Sequence, residues 1–564
     1  MLLADLYQLQ DRLGWLPEAE LRDLAERRSI PLARIHEIVS AYPLFRTGRP
    51  PRRVLVRVCR DPVCLLCGGD ELRQSLIELA GELGEDPVEI EPAACLGQCD
   101  HCPAISINHH TFAGLDLSEM RRLVRAVAAG ERLPRSRVDN SPTGWQIDPY
   151  HGQAGYESLR RSIAACESHA IVRELEAADL RGSGGLGLPV AAKWQAVRDG
   201  CGSDKVVIAN GHGGEPGSVK DRELLRRAPH VVIEGLVLAA IATAATRGMI
   251  VVRYNYLDEL ESLHVAVEAA VRSGWCGNAA PALGRPFPID LVISPGNFVS
   301  GEQTALLELL EGRRGEPRTT PPDPATHGLF GQPTLIHNVE TFAWVPSIVL
   351  RGGEWFRSQG QRGQTGLRIV SIIGDVRHPG AYEIPAGLTF GELLARAGGM
   401  PDGDELQAIA PAGPLGGFLP AKPAVRSPKS EVSDQWPAAE AGASKLLDLP
   451  LDPGVVASFG ARLDSTFIVL SQRRDLAEFT QSSLDFFARE SCGKCLPCRL
   501  GTRQLVESFV SIRSGSLSDE SRQAVDELRD ALRLTSLCDL GRWSATPFDA
   551  WMRHVGLRAT DPVR

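Results

Sequence analysis

No stretch of this sequence is long and apolar enough to span a bilayer. The most apolar run, residues 235–246, is bracketed by Glu234 and Arg247. It falls short of the roughly 20 residues a transmembrane helix needs, and it reads as a buried helix rich in small residues. The opening residues, MLLADLYQLQDRLGW, place Asp5 early and put no basic segment ahead of an apolar core, so no secretory signal is expected. Positive charge is not in excess. The formal net charge is −9, which disfavours a nucleic-acid surface. There is no internal repeat and no identifiable molybdenum or nickel site. The 13 cysteines are odd in number and are not spread as in a small secreted disulfide scaffold. These absences point to a cytoplasmic protein without a direct membrane span.

What is present is length and clustering. A chain of 564 residues is too long for one core and implies several domains. Residues 1–48 read as a small helical unit, with Leu2, Leu3, Leu6, Leu9 and Leu13 at helical spacing and breaks at Pro17 and Pro31. Residues 49–135 form an α/β pattern, with strands at 54–58, 88–90 and 104–107 and helices at 71–83 and 116–129. Residues 136–155 read as a linker. Residues 156–355 alternate strands (206–209, 250–254, 291–293), glycine turns and helices, which is an α/β layer pattern. A small β-rich module follows at 366–420, with its clearest strand at 369–374. Residues 421–450 read as a flexible insertion, and 475–564 as helical.

Six cysteines lie between Cys59 and Cys102, and four between Cys492 and Cys538. Cys59 and Cys64 follow one predicted strand, and Cys95 and Cys99 another. Four thiolates from two loops suit a [2Fe–2S] cluster, which takes two ligands on each iron. Cys64-x-x-Cys67 and Cys99-x-x-Cys102 equally suit a structural zinc ribbon. The spacing leaves iron–sulfur and zinc open, against a background reading of small buried cysteines. In the second cluster, Cys492-x-x-Cys495-x-x-Cys498 followed by Cys538 is a common way to hold [4Fe–4S], with zinc as the rival. A helix starting near Arg499 is expected to aim its positive end at that site, with Lys494 and Arg499 adding charge.

Between the clusters lies RGSGGLGLP at 181–189, followed by Lys193 and Trp194. Glycines let backbone N–H groups approach a phosphate or a flat ring, and a following lysine adds charge. Further polar turns occur at 210–217 (NGHGGEPG), 300–304 (SGEQT) and 331–341 (GQPTLIHNVET).

VCRDPVC, CLGQC and PAISIN, preceded by LGWLPEAEL and SIPLARIHEIVSAYPLF, resemble the thioredoxin-like [2Fe–2S] subunit of respiratory complex I. That resemblance implies Cys59, Cys64, Cys95 and Cys99 as ligands and leaves Cys67 and Cys102 as extra thiols. The glycine-rich turns, SVKDR at 218–222 and SCGKCLPCRLGT at 491–502 resemble the FMN and [4Fe–4S] flavoprotein subunit of the same complex. The fold implied is a multidomain α/β chain. It has N-terminal helices and a thioredoxin-like domain, a Rossmann-like FMN domain, a β-grasp domain of the SLBB type, and a C-terminal helical bundle with an Fe–S cluster. Cofactors implied are FMN, [4Fe–4S] on Cys492, Cys495, Cys498 and Cys538, [2Fe–2S], and NAD(H) as the reaction partner. Gly182, Gly184, Gly185, Gly187, Lys193, Asn210, Glu215, Gly301, Glu302, Asn338 and Thr341 sit where that family binds FMN or nucleotide. Glu215 is the nearest candidate for a catalytic, orienting group.

The same fusion resembles diaphorase subunits of NAD-linked hydrogenases and formate dehydrogenases. The implied activity is that of an NADH dehydrogenase-type electron-transfer subunit. Its expected partners are further Fe–S subunits or a molybdenum- or nickel-dependent catalytic subunit. The chain departs from the flavoprotein pattern at Leu188 and Ala196 (phenylalanine in the family), His212 and Gly213 (Asp-Glu), Gln303 (glutamate), Thr320 (lysine) and Asp323 (phenylalanine). Each ring lost removes about 0.5–1.5 kcal/mol of stacking beyond burial. An FMN/Fe–S relay that has lost NAD(H) binding is therefore the first alternative, and a zinc-stabilised non-redox scaffold the second. His212 is read as filling space beside the glycines.

Overall fold

The computed structural model describes residues 2–84, 87–134, 144–165, 167–184, 187–421, 445–516 and 519–556. Its centre is a four-stranded, all-parallel sheet in the order Ile289–Ser294, Arg247–Arg253, Val206–Gly211, Thr334–Asn338. The strands read as apolar runs because both faces are covered. Val207, Ala209, Ile250, Val252 and Leu335 face a layer of helices that includes Val190–Asp199, Pro229–Thr243 and Val339–Arg351. Pro229–Thr243 is the small-residue helix expected around 235–246, and it is buried along nearly its whole length. Gly235 packs directly on the Phe342 backbone carbonyl, where no Cβ fits.

The opposite face is Val206, Ile208, Met249, Val251, Val292 and Ile336. It is covered by Gln303–Leu310 and by the three N-terminal helices Leu2–Leu13, Glu18–Arg28 and Leu32–Ala41, through Leu3, Leu6, Leu9, Leu21, Leu24, Ile35 and Ile38. The helical unit thus closes the central sheet and is not an appendage of the segment it precedes. Each such buried Leu or Ile contributes about 1.5–3 kcal/mol.

The segment after it forms a four-stranded sheet, order Val88–Ala93, Val54–Cys59, Ala104–Ile107, His110–Ala113. Gly69–Glu82 and Leu117–Ala128 pack on this sheet, the latter opened by a capping box between Asp116 and Glu119. The strand His110–Ala113 was not expected. It is joined to its neighbour by Asn108-His109, both at positive φ (46° and 73°), the backbone of a two-residue hairpin turn.

The β-grasp sheet runs Gly380–Pro385, Leu367–Gly374, Thr466–Ser471, Leu406–Pro414, Leu419–Pro420. Its middle strand, Thr466–Ser471, arrives from beyond the expected insertion, of which residues 422–444 lie outside the described residues. The C-terminal helices Leu476–Glu490, Leu496–Arg513, Asp519–Thr535, Asp539–Trp543 and Thr546–His554 follow. Their core, including Phe509 against Trp551 (ring centroids 5.0 Å apart), extends to Ile468 and Leu470 of the β-grasp sheet and to Val63, Cys95 and Cys99. Among the described residues no helix is long and apolar enough to cross a membrane.

Candidate functional site

Cys59 ends the strand Val54–Cys59, and Cys64 lies in the short helix Pro62–Leu66 that follows. Cys95 and Cys99 follow Val88–Ala93. The parallel pairing of these two strands brings both loops to one edge, and all four thiols are buried. Cys95 Sγ lies 3.5 Å from Cys99 Sγ. Gly97 N–H donates to Cys95 Sγ (3.3 Å) and Gly217 N–H to Cys99 Sγ (3.2 Å). Hydrogen bonds from the Cys59 and Cys99 thiols push Cys95 well below the ordinary thiol range, toward its thiolate. Four buried soft donors, with backbone N–H groups aimed at the Cys95 and Cys99 sulfurs, fit an anionic [2Fe–2S] cluster.

The loop is gripped by residues the sequence reading missed. The Arg222 guanidinium donates to the Gly97 carbonyl (2.6 Å), to Gln98 Oε1 (2.7 Å) and to both Asp100 oxygens (3.1 and 2.6 Å). Asn255 Nδ2 donates to the Leu96 carbonyl (2.7 Å). The Tyr256 ring occupies the place a Cβ on Gly97 would take, at φ 73°. Fully buried Arg253 donates to the Gly213 and Gly296 carbonyls (3.2 and 3.1 Å), and its charge favours the Cys95 thiolate. Cys67 and Cys102, expected as extra thiols, are instead joined to each other in a disulfide.

The second set, Cys492, Cys495, Cys498 and Cys538, lines a small cavity with Val299, Pro317, Ser491, Lys494, Leu537 and Leu540. The long helix here is Leu496–Arg513, with Cys495 as its N-cap residue, so it begins one turn earlier than expected and contains Cys498. Cys538 caps a second helix, Asp539–Trp543. Two positive helix ends therefore converge on the thiols. Lys494 Nζ donates to the Pro317 carbonyl (2.8 Å). Burial pushes Cys498 and Cys538 up to about 12, so thiolate formation there is linked to metal capture. Among the described residues no three His, Cys, Asp or Glu side chains converge on a single metal ion.

The third region lies at the carboxyl edge of the central parallel sheet, where ligands of such sheets bind. Gly182 N–H donates to the Leu188 carbonyl (2.9 Å), and Ser183 N–H to Thr341 Oγ1 (3.0 Å), closing the glycine loop beside Thr334–Asn338. Gly184 faces Asn338, and Gly187 is open; Gly185 lies outside the described residues. Asn210 Nδ2 donates to the Gly301 carbonyl (2.8 Å). Asn338 Nδ2 donates to Asp221 (2.7 Å), while its Oδ1 accepts from Lys220 Nζ (3.0 Å). Lys220 is buried between Asp221 (2.7 Å) and Glu340 (3.0 Å). Lys193 Nζ donates to the Ile336 carbonyl (2.8 Å) and Gln303 Oε1 (3.1 Å), and burial lowers it to about 8. The buried His337 Nε2 next to the loop has no hydrogen-bond partner. An open glycine cradle with an orphaned ring nitrogen and a lysine fits a phosphorylated aromatic cofactor.

Residues 175–347 match the family described as Nuo51 FMN-binding domain, 1–128 the thioredoxin-like [2Fe-2S] ferredoxin, 369–418 the SLBB domain, and 478–556 the NADH-ubiquinone oxidoreductase-F iron-sulfur binding region. The F subunit of the NADH-quinone oxidoreductase of Streptomyces coelicolor is 34% identical over 411 residues, covering 73% of this chain and 86% of that protein. The chain belongs to the family of NADH-quinone oxidoreductase F subunits. NAD-reducing hydrogenase HoxS subunit alpha of Cupriavidus necator is 28% identical over 96% of this chain and 88% of its own length. A chain of the NAD+-reducing [NiFe]-hydrogenase in the H2-reduced state superposes with TM-score 0.84 at 30% identity, over 99% of this chain and 91% of that one.

Within the fold of these F subunits the departing positions have definite surroundings. His212 is buried, with Nδ1 at 2.8 Å from Ser294 Oγ and Nε2 at 2.6 Å from the Asn297 carbonyl. Both ring nitrogens are satisfied, and burial lowers it to about 3, so it is a neutral floor beneath Gly214 and Gly301. Glu302 spends its carboxylate capping Gln303–Leu310, accepting from the Thr304 and Ala305 N–H groups (2.9 and 2.8 Å). Asp323 likewise caps Pro324–His327. Leu188 is 54% exposed. Glu215, expected to orient a flavin, is buried in the seam with the β-grasp sheet. Its Oε1 has no partner and stands next to Gly413, and burial followed by Asp464 raises it to about 8.

Proposed function

We propose that the chain is the NAD(H)-linked diaphorase subunit of a cytoplasmic heteromeric oxidoreductase. It carries FMN and two iron–sulfur clusters and works with further Fe–S subunits and a nickel- or molybdenum-dependent catalytic subunit. Cys59, Cys64, Cys95 and Cys99 would hold [2Fe–2S]. Cys492, Cys495, Cys498 and Cys538 would hold [4Fe–4S]. Gly182, Gly184, Asn210 and Asn338 would line the flavin, with Lys193 beside them. These residues would hold FMN, which would supply hydride exchange with nicotinamide and single-electron release.

The observation that carries this reading is the physical continuity of the three sites. The turn after Asn210 supplies Gly217, whose N–H reaches Cys99. On the other side, Val299 lines the second cysteine cavity, Phe298 N–H donates to Glu490 (2.8 Å), and Arg314 donates to the Cys492 carbonyl (2.6 Å). The chain's own contribution is positional. Lys220, Asp221, Glu340 and Asn338 fix the two turns of the flavin shelf against each other, and neutral His212 supports Gly214 and Gly301 without adding charge. A relay without nicotinamide binding is favoured by the exposed Leu188 and by Gln303, which is tied to Lys193. Reconstituted protein should carry about six irons per flavin and reduce ferricyanide with NADH. Full cofactor loading without NADH-dependent ferricyanide reduction would favour the relay.

A further inference from the structure

The Cys67–Cys102 bond belongs to neither cysteine set. Each of its sulfurs follows a proposed cluster ligand by three residues, Cys67 after Cys64 and Cys102 after Cys99. Cys67 N–H donates to the Cys64 carbonyl (3.1 Å), so these two residues share one tight turn. Cys102 closes the short helix Cys99–His101. Residues three apart in such turns project to the same side, and a turn rises only about 5.4 Å. Cys102 packs against the same apolar cluster as Cys59 and Cys64, and also against that of Cys95 and Cys99. The four ligand thiols are buried, whereas Cys67 and Cys102 are half-buried, within reach of solvent protons and small thiols.

We propose that Cys67 and Cys102 form a redox-active centre, a two-electron, two-proton disulfide/dithiol couple that exchanges electrons with the [2Fe–2S] site beside it. In the reductive direction the S–S bond breaks and each sulfur gains one electron and one solvent proton, giving two thiols. The electrons come one at a time from the reduced thioredoxin-like domain, which is charged by the activity proposed above. The couple pairs single electrons, and its dithiol is a site at which small disulfides, such as oxidised glutathione, can be reduced by exchange. This rests on the assignment of Cys59, Cys64, Cys95 and Cys99 as cluster ligands. A purely mechanical staple between the two loops would instead stay closed at every state of the cluster.

The test uses cofactor-replete protein held anaerobically, as purified and after stoichiometric dithionite. Each sample is quenched with N-ethylmaleimide in denaturant and mapped by peptide mass spectrometry, and the [2Fe–2S] EPR signal is recorded in parallel. The expected result is that Cys67 and Cys102 are unlabelled in the oxidised protein and labelled after reduction. Cluster-depleted protein given the same dithionite should stay unlabelled. Reductive titration should consume two more electron equivalents in the wild type than in Cys67→Ser. A reduced EPR signal with Cys67 and Cys102 still unlabelled would overturn the proposal in favour of a staple. So would labelling of both in the oxidised protein, or equal labelling without the cluster. Absence of any [2Fe–2S] signal would instead remove the ligand assignment on which it stands.

Discussion

Removing the Arg222 guanidinium should loosen the cysteine loop 95–99 far more than any other part of the chain. Arg222 is 2% exposed and pairs with Asp100, itself almost fully buried, through two oxygens, while also donating to the Gly97 carbonyl. Arg222→Met leaves Asp100 buried with only the exposed His101 ring, 3.8 Å away, in place of the guanidinium. Breaking such a pair from one side costs about 3–5 kcal/mol, whereas replacing both members with apolar groups is often neutral. Glu223 keeps Arg226 and Arg227, so the cost stays local to the loop. By linkage, Asp100 has its folded pKa depressed by Arg222 against the cost of burial, so the pair's stabilisation is present above the ordinary carboxylate range and is lost as pH falls through the lowered value. The variant's deficit should therefore shrink below about pH 4. The assay is native-state hydrogen exchange over residues 95–101, with visible circular dichroism reporting the [2Fe–2S] chromophore. Three kcal/mol corresponds to exchange faster by roughly a hundredfold. Arg222→Met combined with Asp100→Leu should recover most of that protection. Acceleration below fivefold in the single variant, or a double variant as loose as the single one, would refute the argument.

Other perturbations follow from the same geometry. Leu6→Ala, at a fully buried position against the central sheet, should cost about 2–5 kcal/mol in chemical denaturation; no loss would show that the N-terminal helices do not close that sheet. Gly235→Val drives a side chain into the Phe342 backbone and should prevent accumulation of folded protein, while surface changes such as Glu354→Gln should be silent. Glu215 retains its proton in the folded chain up to about pH 8, so the unfolded state binds fewer protons from about pH 4.5 upward and stability falls with rising pH across that window. Glu215→Gln should flatten that fall, by up to roughly 1.4 kcal/mol per pH unit, in melts taken from pH 5 to 8; an unchanged slope would show that Glu215 is solvated.

Much of this was legible from residues alone because cysteine spacing and glycine placement are direct statements of chemistry. Cys492-x-x-Cys495-x-x-Cys498 needs no tertiary knowledge to be read as a metal or cluster site, and the apolar run at 206–209 reads as a strand. The misses share a cause: they depend on partners distant in sequence. Asn108-His109 turns a hairpin without the Asn-Gly that usually marks one. Thr466–Ser471 pairs with a strand about a hundred residues earlier, across an intervening insertion, so nothing local tied it to that module. The role of the N-terminal helices was hidden because their apolar stripes do not say which sheet they cover. Arg222, Asn255 and Tyr256 grip the Cys95–Cys99 loop from another domain. Glu215 read as a site residue because its turn resembles the family's flavin site, and the structure adds that its carboxylate also stands against Gly413 of the β-grasp module.

The proposed function requires nicotinamide, flavin and both clusters to exchange electrons within this chain. The most direct test is anaerobic addition of NADH to cofactor-replete protein, with flavin and iron–sulfur absorbance followed together. Rapid bleaching of both sets of bands is expected. Bands that bleach with dithionite and remain intact with NADH would contradict it.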